Sequence, residues 1–161
     1  MTLRNFAEFT SDLPTEQVES ETDFVQLGGR PVAVALSNIF AGIGCQARPV
    51  KSAAHRGWDF HFRYRKLRLW CQVSLIEGYL VIVRDLSARW RIFGGDHRDF
   101  VELMSRLGEA LAADPRFHDV GWFHEDEILS ERAGASRPGG AFSDVPCVRL
   151  QTVEDAPTAG A

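Results

Sequence analysis

The sequence predicts a small α+β domain, a two-layer sandwich in which an antiparallel β-meander has two helices packed on one face. Three observations carry this. Residues 57–86, GWDFHFRYRKLRLWCQVSLIEGYLVIVRDL, hold three strand-like stretches joined by two tight turns. Segments on either side repeat apolar residues at helical spacing. The chain has 161 residues, 45% hydrophobic and 11% aromatic, enough apolar material for one core.

Residues 1–29 hold one base and six acids and read as an acidic N-terminal arm. Within it Leu3, Phe6 and Phe9 suggest a short amphipathic turn, and Gly28-Gly29 ends the segment. The single α+β domain is expected over residues 30–124. Its first helix spans 30–43. Pro31 suits the first turn, where its missing N–H has no intrahelical acceptor anyway. Val32, Leu36, Ile39, Phe40 and Ile43 form the apolar stripe. Gly44 can adopt the left-handed conformation that closes a helix. Pro49 then limits residues 47–52 to an edge strand.

From Trp58 the period changes to two. Trp58, Phe60, Phe62 and Tyr64 alternate with Asp59, His61 and Arg63. Arg65-Lys66 is the first turn. Leu67, Leu69, Cys71, Val73 and Leu75 alternate with Arg68, Trp70, Gln72 and Ser74. Glu77-Gly78 is the second turn, with Gly78 expected at positive φ. Tyr79 to Leu86 completes the meander.

Residues 87–95 read as a loop with Trp90 and Phe93, and Asp96 as the cap of a second helix. Phe100, Leu103, Met104, Leu107 and Leu111 are its buried stripe, and Asp114-Pro115 stops it. A last strand follows over 117–124. Residues 125–161 hold three bases and seven acids and read as an acidic, largely disordered C-terminal tail. Within it, residues 145–153 could form an extra edge strand. The central segment 30–124 is left with 14 bases against nine acids, a mildly basic body between acidic ends.

No apolar run approaches the roughly 20 residues of a membrane helix. The N-terminus lacks the order of a secretory signal, so the expected location is cytoplasmic. Cys45, Cys71 and Cys147 have no paired spacing, which argues against a disulfide framework. Cys71 reads as a small buried apolar residue.

No catalytic constellation stands out. There is no nucleophile elbow, no Walker lysine, no C-x-x-C and no H-E-x-x-H. No cofactor is expected. One metal alternative would bring His61 beside His118 or His124, if the last strand pairs next to the first strand of the meander. Asp59, set between aromatics, could pair with Arg68 or Arg84 across the sheet.

The informative surface is the sheet face turned away from the helices. It is expected to show Asp59, His61, Arg63, Arg68, Trp70 and Gln72. Trp and Arg among polar residues on an open sheet suit protein docking. The turn residues Arg63, Arg65, Lys66 and Arg68, with Tyr64 nearby, offer a second alternative, a weak polyanion or nucleic-acid site. A pI near 5.7 weighs against it.

The series GWDF, then WCQV, then a strand ending RDLS, then a helix running into ADPRF and VGWF resembles small uncharacterised bacterial proteins over residues 30–124. The order of elements is similar to type III secretion chaperones, and size and plainness are similar to bacterial immunity proteins. These resemblances imply a cytoplasmic, non-enzymatic binder whose partner is a toxin, an effector or a second copy of itself. From the residues themselves no cofactor and no membrane is expected, and nucleic acid is disfavoured as a partner.

Overall fold

The computed structural model describes residues 3–16, 18–19, 24–26, 28–87, 98–124 and 127. Nine strands and two helices are described: β1 (Phe6–Ser11), β2 (Val18–Glu19), β3 (Phe24–Gln26), α1 (Arg30–Gly42), β4 (Gln46–Ala47), β5 (Lys51–Ser52), β6 (Trp58–Tyr64), β7 (Leu67–Leu75), β8 (Tyr79–Asp85), α2 (Arg98–Ala113) and β9 (Phe117–Phe123). A 3-10 turn, Ala54–Arg56, leads into β6. The architecture is α+β. Seven strands form one antiparallel sheet, ordered β4-β6-β7-β8-β1-β9, with β5 also on β6. β2 and β3 make a separate two-stranded ribbon.

The meander β6-β7-β8 follows the expected alternation. Trp58, Phe60, Phe62 and Tyr64 are buried, as are Leu69, Cys71, Val73, Tyr79, Val81 and Val83. They share one apolar core with Val32, Leu36 and Phe40 of α1 and with Phe100, Leu103, Met104, Leu107 and Leu111 of α2. Both helices therefore cover the same sheet face. Phe40 stands against Phe60 and Phe62, with ring centroids 5.9 and 4.2 Å away. α1 ends as expected: Gly44 N–H donates to Ala41 O and Cys45 N–H to Phe40 O.

Several expectations need correction. Phe6–Ser11 is not an amphipathic turn but an internal strand, inserted between β8 and β9. Ala7 and Phe9 join the helix-side core, Phe9 lying edge-on to Phe117 at 5.1 Å. The edge strand expected over 47–52 is two short strands, because Pro49 interrupts the pairing with β6. Gly78 is not at positive φ. A side chain there would instead meet Phe9 O of β1 at 3.2 Å. Residues 88–97, which hold Trp90, Phe93 and the expected cap Asp96, the edge strand expected over 145–153, and Cys147 lie outside the described residues.

The face away from the helices is closed where β1 begins and β9 ends. Phe6 and Phe123 are directly paired on that face, yet are 4% and 3% exposed. Where they lie, the chain leaving β9 returns to the chain entering β1. His124 Nδ1 is 3.1 Å from Leu3 O, Arg4 Nε donates to Glu127 Oε2 at 3.4 Å, and His124 N–H donates to that same oxygen at 2.6 Å. On β6 and β7 the same face leaves His61, Arg63 and Arg68 exposed, while the 3-10 turn closes over Gln72.

Candidate binding surface on β6 and β7

Strand periodicity places all six expected site residues on the face away from the helices, and the register joins them in three directly opposed pairs. Asp59 faces Gln72, His61 faces Trp70, and Arg63 faces Arg68. The middle row continues to Arg84 on β8, so Trp70 lies between a histidine and an arginine.

The six differ in their environments. Gln72 is buried at 8% exposure. Its Nε2 donates to Arg56 O and to Ser74 Oγ, both at 3.0 Å, and Ser74 Oγ donates to Arg56 O at 2.6 Å. Gln72 is thus a strut between β7 and the 3-10 turn rather than a contact residue. Asp59 does not pair with Arg68 or Arg84. It accepts the indole N–H of Trp70 at 3.2 Å, a diagonal bond across β6 and β7. Trp70 is half-buried, with its edge tethered. His61, Arg63 and Arg68 are exposed.

The basic turn divides. Arg65 points toward α2, donating to both carboxylate oxygens of Glu102 at 2.9 and 3.0 Å and also to Asp99. Tyr64 Oη donates to Glu102 Oε1 at 3.0 Å, and Arg65 lies over the Tyr64 ring at 5.0 Å. The Arg65 guanidinium first, then the Tyr64 hydroxyl, hold the Glu102 carboxyl below its usual range. This cluster clamps the β6-β7 turn to α2. Arg65 is therefore turned to α2, and Lys66 is exposed and does not line the groove described next.

Arg63 and Arg68 instead line a groove of about 610 Å³ with Gln46, Arg48, His61 and Leu86. Arg48 and Leu86 were not legible as site residues in the sequence. Arg48 is brought in where the chain interrupts its pairing between β4 and β5, its N–H donating to His61 O at 2.8 Å. Leu86 N–H donates to Arg68 O at 2.8 Å, which sets that side chain, 46% exposed, at the groove. The Arg48-Pro49 pair was the one available signal. It marks a strand break on the sheet edge.

The histidines do not converge. His61 is on β6 and His118 on β9, separated by β7, β8 and β1, which overturns the juxtaposition considered for a metal. His118 Nε2 is 2.7 Å from Asp12 Oδ2 at the surface, and His124 holds Leu3 O. Among the described residues, no three metal-ligating side chains gather. Burial pushes the Cys45 thiol up to about 12 and the Cys71 thiol well above its ordinary value, so both stay protonated near neutral pH. No described helix is long and apolar enough to cross a membrane.

Comparison with family models, with curated proteins and with solved structures gives no match for this chain.

Proposed function

We propose that this chain is a non-enzymatic protein-binding module of the bacterial cytoplasm, an immunity-type or chaperone-type partner of another protein, docking through the β6-β7 face. The observation that carries the reading is Trp70, half-buried between His61 and Arg84 and tethered by Asp59. An indole already fixed by its neighbours loses little freedom when a partner covers it. Trp and Arg are the residues whose burial most often dominates interface energy. The Gln72–Ser74–Arg56 network beneath holds the platform rigid.

Purification of the chain from its native cells, at native expression, tests this. The expected result is a stoichiometric protein partner lost on Trp70→Ala. A chain that stays alone and turns over a metabolite would overturn the reading. A toxin gene or a secreted-effector gene alongside would separate the immunity and chaperone forms.

A further inference from the structure

We propose that the partner presents an extended, carboxylate-rich segment whose carboxylates seat among Arg48, Arg63 and Arg68. This rests on the protein-binding reading above and names the chemistry of what is bound. Arg63 and Arg68 are directly opposed on β6 and β7. Like charges in that position repel and destabilise the strand pair. Three other arginines have carboxylates, Arg65 with Asp99 and Glu102, Arg116 with Asp114 and buried Arg4 with Glu127. Arg106 donates to Tyr64 Oη, and Arg30 lies over the Trp58 ring. None of these is set directly opposite another arginine in the sheet. Arg48, Arg63 and Arg68 have no ion pair among the described residues, and no carboxylate lines their groove. A bound anion relieves the repulsion that the fold leaves standing.

The guanidinium fork matches a carboxylate with two parallel hydrogen bonds. A volume of about 610 Å³ exceeds one small anion, and exposed Leu86 gives it an apolar wall. An acidic segment carrying an aliphatic side chain satisfies both features. Single-stranded nucleic acid fits less well. It needs aromatic faces for base stacking, and of the two lining rings among the described residues Phe62 is buried in the core, which leaves the His61 imidazole alone.

Fluorescence polarisation with a fluorescein-labelled peptide of alternating Glu and Leu tests the inference, at low and at physiological salt. The peptide is expected to bind more tightly at low salt, and its Gln-for-Glu counterpart is not expected to bind. Arg63→Glu with Arg68→Glu should weaken binding at least about tenfold, whereas Lys66→Glu, outside the groove, should change it little. Arg68→Gln should melt no lower than wild type, which separates lost binding from lost folding. No binding of the acidic peptide, binding indifferent to Arg63 and Arg68, or tighter binding of a labelled oligothymidylate through the same arginines would each overturn the proposal. If the native partner is lost with Trp70→Ala but kept by the Arg63→Glu/Arg68→Glu variant, the acidic-segment inference falls and the protein-binding reading stands.

Discussion

Trp70 donates its indole N–H to Asp59 across the β6-β7 pair, while Trp58, on β6 beside Asp59, points through the sheet into the core. Two tryptophans on adjacent strands thus serve opposite faces. Trp58→Ala should cost about 3–5 kcal/mol, as truncation of a packed aromatic does. Trp70→Ala, at a half-buried site, should cost about 1–2 kcal/mol of stability and roughly 2 kcal/mol or more of partner affinity. Urea unfolding of both variants checks the first pair of values. Equal, large losses would mean that both faces of the strand pair are closed.

The clamp between the first turn and α2 should show in the pH dependence. Glu102 has a lowered carboxyl pKa in the folded chain, chiefly through Arg65 and then Tyr64. A group depressed on folding contributes stability above its unfolded value, which is near 4.5, and that contribution fades as pH falls through the folded value. Glu102→Gln should therefore melt below wild type near neutrality. The gap should narrow as pH drops below about 4.5. Melting temperatures measured across pH 3 to 7 check this, roughly spanning the carboxylate range. A gap that is constant with pH would deny the clamp its charge.

Gly57 should tolerate no side chain. Its φ and ψ are 99° and −122°, a region open essentially to glycine. A Cβ there would stand 2.2 Å from Val73 O. This close approach aims the neighbouring Arg56 carbonyl at Gln72 and Ser74. Gly57→Ala should cost about 3 kcal/mol or more, through strain and the displaced β7 backbone. Gly44→Ala is the comparison: φ is 101°, but nothing lies within 4 Å, so about 1–2 kcal/mol is expected. Denaturant midpoints of the two variants make the test, and equal losses would remove the steric account.

The meander and both helices were legible because their signals are local. Alternation in Trp58–Tyr64 and the stripe from Phe100 to Leu111 each depend on one buried face. β1 was not legible. Phe6 is buried on one face of the sheet and Ala7 and Phe9 on the other, so no clean alternation marks the strand. A bulge near Glu8 and Thr10 breaks its period further. Its partners β8 and β9 lie some 70 and 110 residues away, a pairing for which local propensity carries no information. The candidate surface was legible for the same reason as the meander: three opposed pairs follow from one hairpin register. Arg48 and Leu86 depend on how the edge strand breaks and where β8 ends, and Arg65 could not be assigned to α2 before the tertiary packing was known.

The buried Arg4–Glu127 pair yields the last prediction. Both side chains are almost wholly removed from water, at 2% and 0% exposure. Taking two charges out of water costs several kcal/mol per ion, and their attraction offsets that only while both are present. Glu127→Ala removes a carboxylate from beside the buried Arg4 guanidinium, and frees His124 N–H from the same oxygen. A loss of about 3–5 kcal/mol is expected. Arg4→Met with Glu127→Leu removes both charges and keeps apolar volume at the buried site, so the double variant should be more stable than Glu127→Ala. Urea unfolding of the two variants decides the matter. The Glu127→Ala variant should also lose hydrogen-exchange protection at the His124 amide, which donates to the Glu127 carboxylate. A double variant as unstable as the single one would mean that the pair contributes through hydrogen-bond geometry that apolar packing cannot replace.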